Sequence, residues 1–116
     1  HLLSVEVSYD GLFSGGLFGV FIRGAFFGES MVSLQPDSSK IALTHLVAAL
    51  QLAGFNLLDT QTTTRHLERF GQRTISSDAY QKILEQALDR HPISLKKQLI
   101  ATTEQNFMAT WLAKVN

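Results

Sequence analysis

The spacing of apolar residues changes at Pro36, from an extended to a helical period, and that change constrains the fold more than any other feature. Before Pro36 the pattern is that of extended backbone. Val5-Glu6-Val7-Ser8-Tyr9 alternates apolar and polar side chains, the two-residue period of a pleated strand, and the turn pair Asp10-Gly11 closes it. A second strand is expected from Ser14 to Ile22 and a third from Ala25 to Ser33, after the breaker Gly24. Five of the eight phenylalanines fall in this region, so it reads as a meander of three antiparallel strands with aromatic filling.

After Pro36 the period becomes helical. Leu43, Leu46, Val47 and Leu50 recur at i, i+3, i+4 and i+7, a single apolar stripe. Asp37 or Ser38 is the expected N-cap and Gly54 the expected C-cap residue. Phe55 to Asp59 is short and apolar and reads as a buried strand. A short helix is expected from Thr63 to Phe70, ended by Gly71, then a brief strand from Arg73 to Ile75. Ser76 or Ser77 caps a further helix through about Arg90, broken by Pro92. From Ser94 onward Leu99, Ile100, Phe107, Met108, Trp111, Leu112 and Val115 have roughly helical spacing, which predicts one or two amphipathic helices. The order β-β-β-α-β-α-β-α is that of an α+β fold, with 1–91 as one domain and 92–116 as a helical extension packed on it.

The 116 residues suffice for one core, and 45% hydrophobic with 17% charged residues is ordinary for a globular protein. No apolar run approaches the roughly 18 residues of a membrane span, so no membrane partner is expected. The absence of cysteine excludes disulfides and thiolate metal sites and fits a cytoplasmic location. Ten basic residues cancel ten acidic ones, whereas a protein gripping a polyanion normally shows a basic excess. Either the chain is not the main nucleic-acid grip, or only the extreme end of an RNA enters it. The first residue is His1 rather than Met, as expected of a fragment.

Three polar residues stand out against apolar surroundings. Asp59 and Gln61 lie two apart at the end of the short strand, where an extended backbone would project both to one face. A carboxylate beside an amide can orient it, so that its carbonyl accepts from an amine while its NH₂ donates to a developing oxyanion. On the residues alone, Asp59 reads first as the cap of the next helix, with Thr60 to Thr64 forming a turn. Glu29 lies in a strand with Phe26, Phe27 and Met31, where an unpaired carboxylate is costly, and alternation puts it on one face with Phe27 and Met31. The alternative is an edge glutamate facing water. His45, His66 and His91 have no metal-ligand spacing, and no Ser/His/Asp order suggests a nucleophile.

Four segments in register carry a resemblance: Gly15-Gly16-Leu17-Phe18-Gly19-Val20, Phe26-Phe27-Gly28-Glu29-Ser30-Met31, Ser39-Lys40-Ile41-Ala42-Leu43 and Leu57-Leu58-Asp59-Thr60-Gln61. Over roughly Ser4 to Leu88 the chain resembles the C-terminal domain of the leucyl/phenylalanyl-tRNA–protein transferases. The resemblance implies an acetyltransferase-like (GNAT) fold and transfer of leucine or phenylalanine from the 3′ end of an aminoacyl-tRNA to acceptor proteins beginning with Arg or Lys, without cofactor or metal. It implies Asp59 and Gln61 as the catalytic pair and Glu29 as the group facing the substrate amine. It also implies an apolar pouch for the aminoacyl side chain at Leu17, Phe26, Met31, Leu43, Leu46, Leu50 and Leu58, each of which alone would read as plain core. Members carry an N-terminal domain that helps hold the tRNA, with no counterpart in these residues. Where the family usually has aromatic-Ser-Arg after Glu-Ser-Met, this chain has Val32-Ser33-Leu34 and lacks the arginine. Two other readings stay open: a non-catalytic module that binds basic N-termini, and a CoA-dependent N-acyltransferase. Against the second, Leu34 to Lys40 has no glycine to cradle a pyrophosphate and carries an acid.

Overall fold

The structure, a computed structural model, describes residues 1–61, 65–69, 71–104 and 111–115. Strands β1 (Leu2–Tyr9), β2 (Leu12–Ile22) and β3 (Ala25–Ser33) form the expected antiparallel meander. Helix α1 (Ser38–Ala53) leads to β4 (Leu57–Asp59), which adds to β3 in parallel, Leu58 beside Phe26. Then come α2 (Arg65–Arg69), α3 (Ser77–Leu88), α4 (Leu95–Glu104) and β5 (Trp111–Val115). The sheet runs β4-β3-β2-β1-β5, and the architecture is α+β.

The apolar stripe of α1 drives the assembly. Ala42, Leu43, Leu46, Ala49, Leu50 and Ala53 are buried against Leu3, Val5, Val7, Leu17 and Phe26 of the sheet, while Leu95 and Leu99 of α4 close the same core. Gly54 ends α1 at φ 95°, where its N–H bonds the Leu50 and Gln51 carbonyls. At the other end Asp37 occupies the cap position without capping. Its carboxylate pairs with Lys40 at 3.2 Å, and the Ser33 hydroxyl accepts from Ser39 N–H at 3.4 Å instead. Ser76 caps α3 by accepting from Ala79 N–H at 3.1 Å.

Two expectations of secondary structure need correction. Arg73 to Ile75 is not a strand: β4 stays at the sheet edge, and no neighbour offers that segment a ladder. Among the described residues of the tail α4 is helical, whereas Trp111–Val115 pairs antiparallel with β1, Glu6 beside Lys114. An edge strand with open N–H and C=O groups overrides a weak helical pattern. The helix expected from Thr63 to Phe70 is present over Arg65–Arg69, and Thr63, Phe70, Phe107 and Met108 lie outside the described residues. No helix among the described residues is long and apolar enough to cross a membrane.

Candidate active site

The site is built around a β-bulge. Phe18 of β2 faces Ser30 of β3, yet the next residue, Gly19, faces Gly28, so Glu29 is one extra residue in β3. The insertion reverses the parity of the strand. Phe26 and Met31 are an odd number apart, and strict alternation would send them to opposite faces; with the bulge between them both line one cavity. Of the face expected for Glu29, Met31 lines the cavity with it and Phe27 does not. Glycine at position 19 is required, because a Cβ there would lie 2.6 Å from the Phe26 ring and 2.3 Å from the Phe27 carbonyl oxygen.

The cavity measures about 410 Å³ and lies between the sheet and α1, within the roughly 300–1,000 Å³ of small-molecule sites. Leu17, Phe26, Met31, Leu43, Leu46 and Leu58 line it, together with Phe18 and Leu67, which the sequence did not suggest. Leu50 does not. It is one turn beyond Leu46 along α1 and is spent in the core, 5% exposed. Glu29, Ser30, Ser39 and Thr60 add the polar groups of the lining.

Glu29, Asp59 and Gln61 do meet, though not as two side chains on one extended strand. β4 ends at Asp59, and Gln61 turns into the left-handed region at φ 65°. Asp59 Oδ1 accepts from the backbone N–H of Gln61 at 2.8 Å, an Asx-type turn. The Gln61 amide Nε2 then donates to Glu29 Oε1 at 3.4 Å. Asp59 therefore orients Gln61 through the main chain and not by gripping its amide. Glu29 is exposed at the bulge, so the burial cost expected of it does not arise.

A fourth residue completes the chain of hydrogen bonds. The Tyr80 hydroxyl, in the first turns of α3, donates to Asp59 Oδ2 at 2.7 Å. That bond, then burial and the carboxylate charge, push the phenol up to about 12, so it stays a donor at any physiological pH. Both Asp59 oxygens are thus occupied. Nothing local in the sequence marks Tyr80, which lies 21 residues from Asp59. Gln72 reinforces the same turn by donating from Nε2 to Thr60 Oγ1. The arrangement presents the Gln61 amide and the exposed Glu29 carboxylate beside an apolar hollow, which suits an ammonium or amine next to an apolar acyl group.

Comparison with known proteins agrees with the motifs. The model of the leucyl/phenylalanyl-tRNA protein transferase family matches residues 1–85. Proteins named leucyl/phenylalanyl-tRNA–protein transferase are similar to this chain. That of Paramagnetospirillum magneticum is 56% identical over 73% of this chain and 41% of its own length. That of Maricaulis maris is 60% identical over 64% of this chain and 34% of its own length. That of Salinibacter ruber is 52% identical over 77% of this chain and 39% of its own length. The chain thus spans about two-fifths of the curated relatives it matches. With 85 of its 116 residues inside the family model and more than half of the aligned positions identical to these relatives, the chain belongs to the leucyl/phenylalanyl-tRNA protein transferase family.

Proposed function

We propose that this chain carries the catalytic part of an aminoacyltransferase that moves leucine or phenylalanine from aminoacyl-tRNA to proteins beginning with Arg or Lys, and that its β-meander, α1 and parallel β4 are an acetyltransferase-like fold. The observation that carries the reading is the junction of Glu29 and Gln61 beside the apolar cavity. The leucyl or phenylalanyl side chain occupies the cavity, which leaves its ester carbonyl near the Gln61 amide. The acceptor ammonium is drawn to the Glu29 carboxylate. After loss of a proton, its amine attacks the ester carbon. The new C–N bond forms as the acyl C–O bond breaks, and the amine's second proton ends on the released ribose hydroxyl. The Gln61 NH₂ stabilises the oxyanion of the intermediate, and Asp59 with Tyr80 keeps the turn that aims it. The ester is already activated, so the step needs no covalent enzyme intermediate.

A second reading has one observation in its favour. Val32-Ser33-Leu34, without the arginine that the family usually has after Glu-Ser-Met, favours a module that binds basic N-termini without transferring anything. CoA-dependent acylation is disfavoured by Asp37, whose carboxylate sits at the α1 start where a pyrophosphate would be cradled. Incubating the chain with phenylalanyl-tRNA and an Arg-initiated peptide decides between them. The proposal expects a Phe-Arg product, and peptide binding with no product would favour the binding module.

A further inference from the structure

At the opposite end of the β2–β3 hairpin the chain concentrates cations that its zero net charge conceals. A cleft of about 510 Å³ opens there among Phe21, Arg23, Phe55, Arg90, His91 and Lys96, and no Asp or Glu lines it. None of Arg23, Arg90 and Lys96 has a carboxylate within ion-pair distance among the described residues. The two guanidinium groups are nonetheless held in place. Arg23 stands at φ 49° in the hairpin turn, which Gly24 N–H anchors to the Ala87 carbonyl at 2.9 Å, and its Nη1 donates to His91 Nδ1 at 3.2 Å. Arg90 Nη1 donates to the Gly54 carbonyl at 3.1 Å, at the end of α1. Each keeps most of its N–H donors for a ligand. Rings also border the cleft: Phe21 is stacked between exposed His1, centroids 5.2 Å apart, and Phe26, at 6.3 Å, and meets half-buried Phe55 edge to face at 5.8 Å, so His1 and Phe55 are the rings left for a base.

Positioned guanidinium forks beside aromatic rings and without acids are what a phosphodiester chain with unpaired bases requires. We propose that this cleft binds single-stranded RNA through its phosphates. An acidic protein segment would meet the same cations but would leave the rings without bases to stack on. Phosphate as the ligand chemistry follows from the cleft alone, while RNA as its source rests on the aminoacyl-tRNA reading above. Arg90, His91 and Lys96 lie beyond the residues 1–85 that match the family model, while Phe21, Arg23 and Phe55 lie within them.

Fluorescence anisotropy of a short, labelled, unacylated single-stranded RNA with the full 116-residue chain tests it. Binding is expected to weaken with salt at a log–log slope of about −0.7 per phosphate contacted. The double variant Arg23→Glu/Lys96→Glu is expected to raise the dissociation constant at least about tenfold, while Lys82→Glu, outside the cleft, leaves it unchanged. Lys96→Glu alone, on an exposed side chain at the start of α4, provides the test if the double variant does not fold. No RNA binding by the unmodified chain, or binding indifferent to these substitutions, overturns the proposal. So does displacement of the RNA by equimolar inorganic phosphate or by an acidic peptide, which would make the ligand a small anion or a protein. No readout depends on an aminoacyl group. A chain that binds RNA but transfers nothing therefore contradicts the proposed function alone.

Discussion

Replacing Gln61 by glycine should leave the protein about as stable and far less active. Gln61 sits at φ 65°, where an L side chain costs about 1–2 kcal/mol. Glycine removes that strain but adds back roughly 0.5–1 kcal/mol of unfolded-state entropy. The variant also loses the Gln61–Glu29 hydrogen bond, which is exposed and 3.4 Å long, and we assign it about 0.5 kcal/mol at most. The three contributions leave Gln61→Gly within about 1 kcal/mol of the parent. Gln61→Ala keeps the strain and loses the same bond, so it should melt lower than Gln61→Gly by the equivalent of about 1 kcal/mol. Both remove the Gln61 amide and should reduce transfer about 10²–10³-fold, the usual loss for one oxyanion donor. Melting temperature and single-turnover transfer, measured on both variants, separate strain from catalysis. Alanine more stable than glycine would refute the strained turn, and undiminished transfer in either variant would remove Gln61 from the chemistry.

Three further outcomes follow from particular contacts. Tyr80→Phe leaves Asp59 Oδ2 without its donor and should slow transfer about tenfold, with little change in the affinity for the tRNA; spectrophotometric titration of the parent should show one tyrosine ionising near 12, absent in the variant. Leu46→Phe narrows the cavity from the α1 side and should disfavour the phenylalanyl donor relative to the leucyl donor by about 10–200-fold in kcat/KM. His45 is lowered from its usual 6.5 by burial, and it donates from Nδ1 to Thr102 Oγ1, whose own proton goes to the Leu99 carbonyl. The unfolded chain therefore takes up a proton first as the pH falls below 6.5, so stability complete above that value declines beneath it, and His45→Gln should flatten the decline in a series of thermal melts.

The parts of the fold visible in the sequence are those with a strong period or a cap. The meander, the α1 stripe and Gly54 were legible because alternation, i/i+4 recurrence and a left-handed terminus are local properties of a segment. The four leucines, the phenylalanine and the methionine that share the cavity follow from the resemblance; alternation alone would part Phe26 from Met31, since a pattern of period two cannot show an inserted residue. Gly28 beside Glu29, opposite Gly19, is the only local hint of that insertion. Tyr80 was invisible because its hydrogen bond to Asp59 depends on how α3 docks beneath β4, a tertiary fact with no signature in either segment. Trp111–Val115 was misread for the reciprocal reason: its state is set by the free edge of β1, far away in sequence.

The most direct measurement is a structure of the chain bound to an aminoacylated adenosine in which a stable amide replaces the ester. The account predicts the phenyl or isobutyl group inside the cavity among Leu17, Phe26, Met31 and Leu46, and the carbonyl oxygen within hydrogen-bond distance of the Gln61 amide. A side chain bound outside that cavity, or a carbonyl that faces away from Gln61 and Glu29, would contradict it.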